Sequence, residues 1–311
     1  MKKISFCIPC YKSEQTLAKV VDEIRSSMEK LSDKYEYEII LVNDASPDKT
    51  FDVIGKLVNT YPNITGIDLA KNFGQHAALM AGFAHVTGDI LVCLDDDGQT
   101  PANEVYKLLE KIEEGEDVVY AKYDHKKHSL FRNFGSFINE KMTEFLLGKP
   151  KELYVSSYFA AKRFIVDEML RYDKSYPYVI GLVLRSTKRI ANVNVNHRER
   201  EVGRSGYTLG KLLGLWMNGF TAFSVKPLRI ATWIGISCAI LGFIYGLYTI
   251  IKKFVLGDAV AVGFSALMSS VMFIGGMILF MLGILGEYIG RMYISMNNAP
   301  QYVIREVVKK Q

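Results

Sequence analysis

Short apolar runs alternate with amphipathic stretches through the first 120 residues. Residues 4–9, 38–43, 64–69 and 89–94 are near-continuous apolar segments of strand length, as buried strands are, and 118–120 is a shorter one. Between them, residues 15–30, 50–61, 75–86 and 103–113 carry apolar positions at helical spacing. Pro47-Asp48 and Thr100-Pro101 stand where helix caps and first-turn residues belong. This alternation predicts βαβ units, hence an α/β fold with a mostly parallel sheet.

Beyond Tyr120 the pattern loosens. A basic loop over 122–132 precedes a helix at 133–147, a strand at 154–161, helices at 164–172 and 179–187, and an alternating strand at 190–197. Residues 207–223 set Leu209, Leu212, Leu213, Leu215, Trp216, Phe220 and Phe223 among glycines and Lys211. That composition predicts an amphipathic helix on a membrane surface, with an ordinary packed helix as the alternative. Then come two uncharged runs, 22 residues at 230–251 and 28 at 259–286. About 20 apolar residues cross a bilayer as a helix, so a two-helix transmembrane hairpin with a turn at 252–258 is expected; the alternative is a buried hairpin of a soluble protein. The second run exceeds one span and tilts or begins with an interfacial piece near 262–270. The predicted division is a catalytic domain at 1–205, an interfacial helix at 206–227, the hairpin at 228–287 and a cytoplasmic tail at 288–311.

Composition agrees with a membrane protein: 49% of the 311 residues are hydrophobic, and mean hydropathy is positive despite a net charge of +5. The apolar stretch at 4–10 is too short for a signal peptide, so the first region and both termini are expected on the cytoplasmic side of a multi-pass inner-membrane protein. Lys226, Arg229, Arg291, Arg305, Lys309 and Lys310 flank the spans as this orientation requires, while Lys252 and Lys253 argue against it. Cys7 and Cys10 have C-x-x-C spacing, but Cys7 falls inside a strand and no second pair exists, so buried thiols are expected.

Chemistry gathers at the strand ends. The first leads to Pro9, Tyr11 and Glu14, the second to Asn43, Asp44, Ser46 and Asp48, the third to Lys71, Asn72, Gly74 and Gln75, and the fourth to Asp95-Asp96-Asp97. All lie at the carboxyl edge of a parallel sheet, where such folds bind ligands. Three adjacent carboxylates repel one another, and a divalent cation resolves the repulsion. Asp95, Asp97 and Gln99 offer hard oxygen ligands suited to Mg²⁺ or Mn²⁺, the alternative being a solvated acidic turn. Asp44 and Glu14 suit a nucleoside, although Asp44 also suits a helix cap. Neither a G-x-G-x-x-G nor a Walker sequence occurs. Two basic strips, Lys126, Lys127, His128 and Arg132, then His197, Arg198, Arg200, Arg204 and Ser205, suit phosphate or anionic lipid.

The ordered set Ile8–Glu14, Val42–Thr50, Lys71–Gln75 and Leu94–Gln99 resembles glycosyltransferase family 2. With His197-Arg198-Glu199-Arg200 and the C-terminal hairpin it is similar to the polyprenyl-phosphate glycosyltransferases, including bactoprenol glucosyltransferases, dolichyl-phosphate mannose synthases and undecaprenyl-phosphate aminoarabinose transferases. The resemblance covers nearly the whole chain. It implies a GT-A nucleotide-sugar-binding domain and inverting transfer of a sugar from a nucleotide diphosphate to a polyprenyl phosphate, with UDP-glucose and undecaprenyl phosphate as the first expectation and GDP-mannose or UDP-aminoarabinose type donors as alternatives. It implies donor contacts from Pro9, Tyr11, Glu14, Asp44, Asn72, Asp95 and Asp96, and a metal at Asp95, Asp97 and Gln99. Catalytic roles fall to Asp97, Arg132 and Arg200, with Arg132, Arg200, Arg204 and Ser205 at the acceptor phosphate. Many relatives carry an acidic residue where Ser157 stands here, though the aminoarabinose transferases also lack it, so a dedicated carboxylate base is not expected. A homo-oligomer is compatible with this reading, and nucleic acid is not an expected partner. A processive polysaccharide synthase fits less well, since no Q-x-x-R-W segment follows Gln75 or Gln99. The non-enzymatic alternative is a membrane scaffold that retains the fold.

Overall fold

The central strand β1 (Lys2–Cys10) turns Ile4, Phe6 and Ile8 to one face, where α1 (Leu17–Glu29) covers them with Leu17, Val20, Val21 and Ile24. That spacing is one helical face, which is why the stretch folds as a helix against the sheet. The computed structural model describes residues 1–123, 144, 148–196, 226–256, 263–297 and 299–310. Further along come β2 (Tyr35–Asn43), α2 (Thr50–Thr60), β3 (Ile64–Leu69), α3 (Gln75–Phe83), β4 (Ile90–Cys93), a 3₁₀ turn (Ala102–Glu104), α4 (Val105–Glu113) and β5 (Val118–Tyr123). After the 124–147 region follow β6 (Phe159–Lys162), α5 (Arg163–Leu170), α6 (Val179–Ser186) and β7 (Ile190–Val195).

With β8 (Ile304–Lys309), these strands form one sheet in the order β7-β5-β6-β4-β1-β2-β3-β8. The pairs β1/β2, β1/β4, β2/β3 and β5/β7 are parallel, whereas β4/β6, β5/β6 and β3/β8 are antiparallel. The chain moves outward from β1 through β2 to β3, then returns to the other side of β1 as β4. The topological switch therefore lies between β1 and β4, where open α/β sheets take their ligands.

The other face of β1 carries Cys7 beneath α3. A Cβ at Gly82 would lie 2.3 Å from Cys7 Sγ and 3.0 Å from Val42, so glycine is what lets this helix approach the sheet. Cys10 instead belongs to the α1 side, its Sγ 3.3 Å from the Ile8 carbonyl. Three residues apart in a strand, the two thiols point to opposite faces and form no redox or metal pair.

Residues 154–158 are loop rather than strand, and at Tyr154 a side chain takes up both backbone groups: its N–H donates to Asn192 Oδ1 at 2.8 Å and its carbonyl accepts Asn192 Nδ2 at 2.6 Å. The expected tail at 288–311 divides. Its first part continues a helix to Met296, and its last part is β8, antiparallel on β3. The predicted helix at 207–223, the one at 133–147 apart from Glu144, and the basic residues Lys126, Lys127, His128, Arg132, His197, Arg198, Arg200, Arg204 and Ser205 lie outside the described residues.

The remaining unit holds α7 (Lys226–Leu256) and α8 (Phe264–Met296). Many of their large apolar side chains are exposed, Trp233, Phe243 and Leu279 among them, which is the reverse of the sheet unit. The hydroxyls of Thr232 and Ser237 donate to carbonyls four residues back, at 3.0 and 2.9 Å, which satisfies them without water. Among the described residues, Phe273–Met296 is long and apolar enough to cross a membrane, while the apolar part of α7, Ala231–Tyr245, is shorter.

Candidate functional site

At the switch point a cavity of about 710 Å³ opens outside the carboxyl ends of β1, β2 and β4. Pro9, Tyr11, Asp44, Asn72, Asp95, Asp96 and Asp97 all line it, so residues predicted from three loops and one acidic turn meet in one place.

Asp44 follows the last residue of β2 and is buried. Its Oδ1 accepts the Phe73 N–H at 2.7 Å and its Oδ2 the Gly74 N–H at 2.9 Å, while Asn72 Nδ2 reaches the Asp44 carbonyl at 3.2 Å. Burial pushes the Asp44 carboxyl above its ordinary range, and the two amide donors pull the other way. One carboxylate thus ties the β2 edge to the start of α3. Gly74, at φ +90°, turns the chain into that helix where a side chain would be strained.

The triplet divides its labour. Asp96 Oδ2 accepts the Tyr11 N–H at 2.9 Å, and the Asp96 carbonyl accepts Thr16 Oγ1 at 2.6 Å, so this carboxylate fastens the loop after β1. Burial raises its pKa as well, with the Tyr11 N–H opposing. Asp95 is held by side chains: Gln75 Nε2 donates to Oδ1 at 3.1 Å, and Ser157 Oγ donates to Oδ2. Asp97 Oδ1 accepts the Gln99 backbone N–H at 3.1 Å.

Among the described residues no group of three or more His, Cys, Asp or Glu side chains is arranged to hold a metal. Asp95 and Asp97 do share the cavity, and two carboxylates completed by substrate phosphate oxygens are a common Mg²⁺ arrangement, so the donor set fits such an ion. Gln99 does not line the cavity; its backbone N–H caps Asp97 instead. Glu14 is also placed elsewhere. Its Oε2 accepts the Lys49 N–H at 3.0 Å, supplying a cap at the start of α2, where Lys49 has no capping oxygen of its own. It borders a separate surface depression with Gln15, Lys49 and Asp52.

Gln75, expected at the third strand end, and Ser157 also line the cavity, and the structure adds His76 and Ser156. Ser157 hydrogen-bonds the Asp95 carboxylate it faces. His76 packs edge-on to Tyr178, ring centroids 5.0 Å apart, and its buried Nδ1 has no hydrogen-bond partner among the described residues. Burial lowers its pKa from 6.5 to about 4, so the ring is neutral at neutral pH. The strand-end pattern stops at Gln75, and an apolar helix conceals the histidine. Leu79, Phe159, Val179 and Ile180 complete an apolar wall.

The family model described as Glycosyl transferase family 2 matches residues 5–170, and the GtrB C-terminal hairpin model matches residues 226–292. The chain is 34% identical, over 99% of its length and 94% of theirs, to proteins named undecaprenyl-phosphate 4-deoxy-4-formamido-L-arabinose transferase from Yersinia pestis and Yersinia pseudotuberculosis. In three dimensions it is similar to glucosyl-3-phosphoglycerate synthase from Mycobacterium tuberculosis, crystallised with Mn²⁺, UDP-glucose and phosphoglyceric acid, at TM-score 0.52 and 19% identity, covering 70% of this chain and 78% of that one. At that identity the likeness establishes the GT-A-like fold alone. By the matched domain, the hairpin and the full-length relatives together, the chain belongs to glycosyltransferase family 2, in its polyprenyl-phosphate glycosyltransferase branch.

Proposed function

We propose that this protein is a membrane enzyme that transfers a sugar from a nucleotide diphosphate to the phosphate of a polyprenyl lipid, with inversion at the anomeric carbon. The observation that carries the reading is the meeting of Asp44, Asp95 and Asp97 in one cavity at the β1/β4 switch point. In this reading Asp44, with Pro9, Tyr11 and Asn72, receives the nucleoside. Asp95 and Asp97 would hold Mg²⁺ or Mn²⁺. When bound, that ion neutralises charge on the leaving group.

The acceptor phosphate is ionised near neutral pH, so an acceptor oxygen attacks the anomeric carbon directly as the bond to the donor diphosphate breaks. No carboxylate base is needed, in keeping with Ser157 at the position acidic in many relatives. Alignment then carries the catalysis. Asp95 is kept in register for this by Gln75 and Ser157. Arg132, Arg200, Arg204 and Ser205 are proposed at the phosphates on the strength of the resemblance. The hairpin, embedded in the inner membrane with both termini cytoplasmic, keeps the enzyme beside its lipid substrate.

For the donor, a UDP-linked 4-formamido-arabinose type sugar has more support than the initial expectation of glucose, because the relatives similar over 99% of the chain carry that name. Undecaprenyl phosphate is the acceptor supported by the same names. The test is a panel of UDP-4-deoxy-4-formamido-L-arabinose, UDP-glucose and GDP-mannose with undecaprenyl phosphate, with Mg²⁺, Mn²⁺ or EDTA. Metal-dependent lipid-linked product from the formamido pentose is expected. Product only from another sugar reassigns the donor, and no lipid-linked product from any donor overturns the reading.

A further inference from the structure

We infer that β8, the strand after the hairpin, is part of the donor site: Arg305 positions the Asp44 loop through Asp68 and Asn43. This rests on the proposal that Asp44 receives the donor nucleoside. Asp68 lies near the end of β3 with its side chain only 5% exposed, and a carboxylate buried there needs partners for both oxygens. Its Oδ2 accepts Arg305 Nη1 at 3.1 Å, and its Oδ1 accepts Asn43 Nδ2 at 2.7 Å.

Asn43 passes the constraint on. Its own Oδ1 accepts the Ser46 N–H at 3.2 Å, which closes the turn that carries Asp44 and Ala45. Ala45 sits at φ 49°, a left-handed conformation that a non-glycine residue keeps only when its surroundings impose it. At the outer end, Arg305 Nη2 donates to the Ala70 carbonyl at 3.0 Å, and the Ala70 N–H donates to the Val303 carbonyl at 2.8 Å. The β3/β8 register shifts at Asp68/Leu69, the same point. Irregularities of this kind re-aim strand ends next to active sites. Arg305 is not among the residues lining the cavity, so it is a positioning residue and not a catalytic one.

The experiment uses the full-length protein and measures affinity for UDP or GDP, whichever the wild type binds, with donor KM, kcat and melting temperature. Arg305→Ala should weaken nucleotide binding about five-fold, the size of one ordinary hydrogen bond, since the Arg305 side chain is largely exposed and water partly replaces it, and raise donor KM while kcat changes less than about two-fold. Arg305→Lys keeps the charge but loses the planar fork, should give an intermediate effect, and carries the test if the alanine variant does not fold. The double variant Arg305→Ala/Asp68→Asn should return affinity to within about two-fold of wild type, because no buried carboxylate is left unpaired and an amide oxygen still accepts from Asn43. Unchanged nucleotide affinity in a well-folded Arg305 variant, with only a lower melting temperature, overturns the inference. So does a double variant that binds as weakly as Arg305→Ala. A wild-type protein that binds neither nucleotide overturns the donor reading itself, a result distinct from both.

Discussion

The carboxylates at the ends of β2 and β4 face one cavity but are held by different kinds of partner. Asp44 is buried and accepts two backbone N–H groups, which belong to the chain and cannot turn away. Asp95 accepts from Gln75 and Ser157, whose side chains rotate. A carboxylate clamped by backbone is suited to setting the shape of a site. One held by rotatable donors can exchange partners when a ligand arrives. The third carboxylate, Asp96, resembles Asp44, since the Tyr11 N–H holds it, although it is a neighbour of Asp95 in sequence.

The sharpest way to break this contrast is Asp97→Asn. If the β4 end holds the charge-neutralising ion, turnover should fall about 10²-fold or more with melting temperature unchanged, a loss comparable to removing a transition-state-stabilising group. Full activity in that variant would refute the assignment. Asp44→Asn should do the reverse. An amide has one oxygen for two N–H donors, so one donor is left facing an NH₂ group, and stability should fall by up to about 3 kcal/mol, read by thermal or chemical denaturation. Donor KM should rise with it. An Asp44→Asn protein as stable as wild type would mean the β2 carboxylate is not the clamp described.

A smaller effect belongs to His76. Its folded pKa of about 4 lies below the ordinary 6.5, so between these values the unfolded chain binds more protons. The stability this contributes is present above pH 6.5 and is lost as pH falls towards 4. With solvent screening at its partly exposed ring, about 1–2 kcal/mol should disappear by pH 5. His76→Phe, which retains a ring for Tyr178, should flatten the melting-temperature profile over that interval. An unchanged profile would remove the histidine from the pH response. The smallest change is expected for Ser157→Ala, which takes one donor from Asp95. About a five-fold lower turnover, with a higher metal concentration for half-maximal activity, is expected. No change in metal dependence would show that the serine does not tune Asp95.

Much of the fold was legible. Apolar runs located β1 to β4, because strands covered on both faces leave continuous apolar segments, and the meeting of strand-end loops follows from parallel topology. β8 was not legible. Ile-Arg-Glu-Val-Val-Lys reads as a charged tail, and becomes a strand only because β3 presents an unpaired edge far back in the chain. His76 was hidden by the apolar helix that follows it. Gln99 and Glu14 were read from side-chain chemistry alone, whereas the structure uses a Gln99 backbone amide at Asp97 and spends the Glu14 carboxylate on the start of α2.

By itself, the sequence determined the periodicities that make helices and strands, the carboxylate triplet at the end of an apolar run, and the long uncharged stretches of the hairpin. These are local properties, readable within a few residues. Only the tertiary structure decided the division among carboxylates, turning Asp96 to the loop after β1 and Asp95 to Gln75 and Ser157, and it alone brought Arg305 to Asp68. Hydrogen-bond partners are chosen by distance in space, and here they come from segments 20, 62, 85 and 237 residues apart.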